Sequence, residues 1–135
     1  MNYWLVKSEP FKYSWDKFVG LGRDHWDGVR NYQARNNLAA MKLGELVFFY
    51  HSNEGMEIVG IAKVVREAYP DPTSDDPRWV VVDLSPVEKL PRPVTLKEIK
   101  ADPQLADIAL VKLSRLSVQP VKKEEFDRIL ALAHA

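Results

Sequence analysis

Leu46-Val47-Phe48-Phe49-Tyr50, then Asn53-Glu54-Gly55, then Ile58-Val59-Gly60-Ile61-Ala62-Lys63-Val64-Val65 is the succession that decides how this chain folds. Five consecutive apolar residues leave no side of a strand for water, so 46–50 predicts a strand covered on both faces. The Asn-Glu-Gly triplet supplies a turn, and 58–65 returns as the second strand of a hairpin. Gly60 inside that strand marks a bulge or a close approach by another part of the molecule.

Upstream, Tyr3 to Lys7 is aromatic and branched and predicts a strand, ended by Ser8-Glu9-Pro10, where Pro10 biases Glu9 towards an extended backbone. Ser14 caps a short helix over 15–19, stopped by Gly20 and Gly22. Asn31 caps a second helix, with Ala34, Leu38 and Met41 as its inner stripe and Gly44 closing it. Downstream, 69–77 is a Pro- and Asp-rich loop. Residues 79–84 read as a strand with Trp79, Val81 and Asp83 on one side and Val80, Val82 and Leu84 on the other, and Pro86, Pro91 and Pro93 break up the chain beyond it. Thr95 and Glu98 form a capping box for a helix to about Lys100. A short helical piece over 103–108, a last strand over 116–119 and a final helix from about Lys122, with Phe126, Ile129, Leu130 and Ala133 on one face, complete the chain. There is no internal repeat and no linker. Short strands with helices inserted between them predict one α+β domain over 1–135, built on a small, curled, mostly antiparallel sheet.

The 135 residues are 46% apolar and 28% charged, ordinary for a globular chain. No run approaches the roughly 18 apolar residues of a membrane span, so no membrane partner is expected. The N-terminus lacks a signal-peptide pattern, and with no Cys there is neither a disulfide framework nor a zinc-thiolate site. The chain therefore reads as cytoplasmic. Its 19 basic residues balance 19 acidic ones, which argues against a purely electrostatic grip on duplex backbone. The charge is nevertheless unevenly spread: 22–43 and 111–123 are basic, and Asp71, Asp75 and Asp76 are the counterweight.

Enzymatic readings find little support. Of His25, His51 and His134, the last is terminal, and His51 and Ser52 are strand neighbours whose side chains diverge. Neither a nucleophile elbow nor a phosphate-cradling Gly-rich loop is present. His25 and Asp27 are two metal-ligand types, too few for a site, and no cofactor is implied. A binding role has more behind it. From His25 to Asn37 the chain interleaves aromatic, amide and guanidinium groups: rings on which a planar base can stack, and donors and acceptors that read its edges. The same run is equally well read as a helix start whose Trp26 and Tyr32 belong to the core. Lys7-Ser8-Glu9, His51-Ser52-Asn53 and Arg115-Leu116-Ser117 put further polar groups at strand ends.

In Trp4-Leu5-Val6-Lys7-Ser8-Glu9-Pro10, Trp26-Asp27-Gly28-Val29-Arg30-Asn31-Tyr32-Gln33-Ala34-Arg35-Asn36, Phe48-Phe49-Tyr50-His51-Ser52-Asn53, Glu67-Ala68-Tyr69-Pro70-Asp71 and Arg115-Leu116-Ser117-Val118 the chain resembles the EVE domain of the PUA-like superfamily. The resemblance covers nearly the whole chain. It implies a PUA-like pseudo-barrel of strongly bent strands with short helices around it. It also implies a non-enzymatic module that reads a modified base in nucleic acid, 5-methylcytosine or an oxidised form in DNA foremost. A PUA-like RNA-binding module and a nucleoside- or small-molecule-binding protein are the alternatives. The pocket implied is lined by Lys7, Ser8, Glu9, Trp26, Val29, Asn31, His51, Ser52, Asn53, Arg115 and Ser117. Within it Trp26 would stack on the base, Asn31, Ser52 and Glu9 would read its edge, and Arg30, Arg35 and Arg115 would meet the flanking phosphates. A stand-alone domain of this kind would need a separate effector protein to act on its ligand.

Overall fold

A computed structural model describes residues 1–135. Its strands are β1 (Tyr3–Ser8), β2 (Asp24–His25), β3 (Leu46–His51), β4 (Glu57–Pro70), β5 (Val80–Thr95) and β6 (Val118–Val121). Its helices are α1 (Trp15–Leu21), α2 (Tyr32–Ala40), α3 (Leu96–Ala101), α4 (Ala109–Lys112) and α5 (Lys123–Ala133). The strands form one six-stranded sheet in the order β2-β5-β4-β3-β1-β6. Only the β1–β3 pair is parallel. The sheet is strongly bent and stays open between β2 and β6, so the pseudo-barrel is not closed. No helix is long and apolar enough to cross a membrane.

The apolar run 46–50 behaves as its composition demands. Val47 and Phe49 pack with Trp4, Val6, Trp15, Phe18, Ala34, Leu38 and Met41 on one face. Phe48 and Tyr50 pack with Leu5, Ile58, Ile99, Leu105, Phe126 and Ile129 on the other. Thus α1 and α2 cover one face and α3 to α5 the other, and alternation along β3 feeds two cores at once. Gly60 meets both of its expected demands. The β4–β5 register shifts between Ile58 and Gly60, and a Cβ at Gly60 would stand 2.5 Å from the Trp15 ring.

The hairpin is longer than the sequence pattern suggests. β4 continues through Tyr69 and Pro70, leaving a shorter loop before β5. β5 runs on through Pro86, Pro91 and Pro93 instead of breaking there. β2 pairs only with Asp83 and Leu84, so beyond them β5 is an edge, and Pro86 lies next to a register shift. A missing N–H costs little at such places. Two glycine expectations also change. Gly22, at φ 73°, ends α1 while Gly20 lies within it. α2 ends at Met41, and Gly44, at φ 83°, serves the turn into β3. Over 103–108 only Pro103–Leu105 is helical, as a single 3₁₀ turn; α4 comes after it, and β6 begins two residues later than expected.

Candidate nucleic-acid interface

The parallel pairing of β1 with β3 brings two strand ends to the same side of the sheet, Ser8 opposite His51. Ser52 N donates to Ser8 O at 2.9 Å and locks the ends together. Beyond Ser8 the chain turns at once: Glu9 O accepts from Lys12 N at 3.0 Å and from Tyr13 N at 2.8 Å. Ser8 Oγ donates to Tyr13 O at 2.5 Å, and Tyr13 Oη donates to Asp24 Oδ2 at 2.7 Å. Burial and the Asp24 carboxylate together push the Tyr13 hydroxyl well above its ordinary range. β2 holds the opposite side, where Trp26 N donates to Val82 O at 2.8 Å.

Between these elements lies a recess of about 350 Å³, lined by Lys7, Ser8, Glu9, Lys12, Tyr13, Asp24, His25, Trp26 and Asp27. That size falls at the lower end of small-ligand sites. Trp26 is only 8% exposed. Its ring stands edge-on to Tyr13 at 5.8 Å and to Phe49 at 5.6 Å, so it belongs to the core and to the recess wall together. Three carboxylates line the recess. Asp24 is held by Tyr13, and Asp27 Oδ2 lies 3.2 Å from His25 Nε2. Glu9 has only an exposed partner, Lys12, at 3.5 Å. Lys7 is half-buried, which lowers its ammonium pKa, and its Nζ donates to Ser114 O at 2.6 Å. No group of three or more His, Asp or Glu side chains converges as a metal site would require.

Of the thirteen residues singled out from the sequence, the structure brings Lys7, Ser8, Glu9 and Trp26 to this recess. The others lie elsewhere, so the single shared pocket is divided. Ser52 and Asn53 line a neighbouring recess of about 400 Å³ with Lys7, Tyr50, Met56, Leu96, Lys100, Leu110 and Ser114. Met56, Leu96 and Lys100 carry on into a third, of about 510 Å³, with Lys97. Asn31 and Arg115 share a separate recess of about 330 Å³ with Gln33 and Leu113–Leu116, and Arg115 is its one basic residue, so the cations of 22–43 and 111–123 do not converge there.

Asn31 does not face Trp26's recess: its Oδ1 accepts from Ala34 N at 2.9 Å as the cap of α2. His51 Nε2 accepts from Trp15 N at 3.1 Å, and Ser117 contributes a backbone carbonyl to Lys7 N at 3.0 Å. Gly28, at φ 75°, turns the chain so that Val29 enters the core and Arg30 reaches Asp71 at 3.0 Å. Arg35 lies over the Tyr32 ring at 5.3 Å and donates to Asn36. Lys12, Tyr13, Asp24, His25 and Asp27 are the recess residues that sequence reasoning did not assign. His25 and Asp27 carried a signal, as members of the His25–Asn37 run and as two metal-ligand types, though neither was assigned to the pocket. Tyr13 and Asp24 carried none, because their meeting depends on β2 pairing with β5.

The EVE domain model matches residues 2–132. Thymocyte nuclear protein 1 of mouse is 42% identical, covering 97% of this chain and 73% of that protein. A crystal structure of a protein from Agrobacterium tumefaciens superposes with a TM-score of 0.97 at 50% identity, covering 98% of this chain and 93% of the other. The crystal structure of human THYN1 in complex with 5-methylcytosine-containing DNA superposes with a TM-score of 0.93 at 39% identity, covering 100% and 99%. An ASCH protein from Zymomonas mobilis, 11% identical with a TM-score of 0.57, shares the fold alone. With its blocks, its bent sheet and these relatives in agreement, the chain belongs to the EVE domain family.

Proposed function

We propose that this protein binds DNA carrying 5-methylcytosine or an oxidised form of it, without catalysis, and that the recess beside Trp26 receives the base after extrusion from the duplex. The observation that carries this reading is the recess itself: an indole in its wall, three carboxylates and one half-buried lysine around it. The human relative solved with methylated DNA supports the same ligand class.

Extruding a base costs a few kcal/mol, and contact with an aromatic ring returns about 1–3 kcal/mol. Burying the methyl group adds only about 0.8 kcal/mol, a several-fold preference over cytosine. The methyl cannot separate 5-methylcytosine from thymine, which carries the same group. That discrimination falls to the exocyclic position, where cytosine offers an amino donor and thymine a carbonyl acceptor. A carboxylate accepts from the first and repels the second. Glu9 is the freest of the three carboxylates and takes this role; a mispaired polar group there costs roughly 1–3 kcal/mol.

The test is a titration of the protein against duplexes bearing one 5-methylcytosine, cytosine or thymine at a fixed position, with methylated RNA and free nucleoside as further arms. We expect the methylated duplex to bind best and Glu9→Gln to narrow its lead over thymine by about five-fold or more. Equal binding of all three duplexes would overturn the reading. Tightest binding to RNA or nucleoside would move the ligand to another class.

A further inference from the structure

Phe11 does not line the recess, yet it is 87% exposed, more than any other large apolar side chain in the molecule. Aromatic rings ordinarily supply much of a core's buried surface, and Phe11 does not join the cluster that Tyr13, two residues on, packs against. Its surroundings are firmly held. Glu9 O accepts from both Lys12 N and Tyr13 N, and Ser8 Oγ ties back to Tyr13 O. The Tyr13 ring packs against Phe18, Trp26 and Phe49. Pro10-Phe11 is therefore the tip of a short turn whose two feet, Glu9 and Lys12-Tyr13, both line the recess.

We propose that Phe11 is a wedge: when the recess takes an extruded base, the Phe11 ring enters the gap left in the duplex and stacks on the neighbouring bases. This rests on the recess by Trp26 being a base pocket. Removing one base opens a vacancy about 3.4 Å high in that strand, which suits a flat aromatic ring. Proteins that open base steps commonly insert an apolar side chain of this kind, and the stacking regained offsets the cost of opening. Because the turn is hydrogen-bonded before any ligand arrives, little freedom is lost on insertion. Lys12, the next residue, places an exposed cation at the same lip.

The wedge is tested with the parent protein, Phe11→Ala and Phe11→Trp, each titrated against a duplex with one 5-methylcytosine and against the same methylated strand alone. An exposed turn position leaves folding unaffected, which thermal melts of the variants check. On the duplex we expect Phe11→Ala to bind about tenfold or more weakly and Phe11→Trp to match the parent. On the single strand, which has no gap to fill, all three should agree within about twofold. An unchanged duplex affinity of Phe11→Ala, or an equal loss on duplex and single strand, overturns the wedge and leaves the base pocket standing. A parent that binds neither form sinks the base pocket and the wedge with it.

Discussion

Trp26 answers to two environments, and substitutions separate them. Its ring is wedged between Tyr13 and Phe49, so Trp26→Ala should cost about 3–5 kcal/mol in a urea unfolding titration. Weak DNA binding by that variant would therefore be ambiguous. Trp26→Phe keeps an aromatic ring in the core but shortens the wall of the recess. It should melt much closer to the parent and still bind methylated DNA several-fold more weakly, as read by fluorescence anisotropy. Unchanged affinity in Trp26→Phe would remove the indole from recognition. His51 gives a second test at this scale. Burial lowers its pKa below 6.5, more than Glu57 and Asp16 raise it, and Trp15 N donates to its unprotonated Nε2. The unfolded chain then takes up the proton first as pH falls below about 6.5, and stability declines. His51→Gln should flatten the decline in melting temperature between about pH 7 and 5; a parallel decline would place its cause elsewhere.

At the scale of elements, the loop between β4 and β5 holds the segment just beyond β2. The buried Asp71 carboxylate accepts from Thr73 N and Oγ1, Gly28 N and Arg30 Nη1 at 2.6–3.1 Å. Burial alone would raise its pKa, but the Thr73, Arg30 and Gly28 hydrogen bonds outweigh it and bring the group down to about 2. A lowered carboxyl pKa contributes stability that is fully present above about 4 and is lost as pH falls through about 2. Asp71→Asn should erase that acid step, read as melting temperature against pH, and loosen Gly28 to Arg30. The α1–sheet contact offers a purely steric test. Because a Cβ at Gly60 would overlap the buried Trp15 ring, Gly60→Ala should destabilise by about 1–3 kcal/mol in the same urea assay. β5 shows why element boundaries resisted sequence reading. Three prolines argue against a strand, and only the knowledge that β2 covers just two of its residues makes them acceptable.

At the scale of the molecule, a net charge of zero leaves binding to local arrangement. The recess by Trp26 shares Lys7 with its neighbour, which shares Met56, Leu96 and Lys100 with the one beyond, and together the three carry Lys12, Lys7, Lys100 and Lys97. Four lysines release at most about four counterions, so the slope of log affinity on log salt should be no steeper than about −4. A steeper dependence would show that further cations, such as Arg115, join the contact. Ser52 and Asn53 stand apart from Trp26 because they line different recesses, with Lys7 at the end of β1 common to both.

Local physics in the sequence determined the elements. An unbroken apolar run has to be a strand buried on both faces, Ser14, Asn31 and Thr95 have to cap helices, and a glycine amid branched residues has to yield to a neighbour. Those demands are met within a few residues of chain, so they are legible without coordinates. The recess is different in kind. It exists because β1 runs parallel to β3 and because two residues of β2 pair with β5 some sixty positions away, contacts fixed by the packing of both sheet faces together. Trp26 could therefore be named in advance, while its companions Tyr13 and Asp24 were decided by tertiary structure alone.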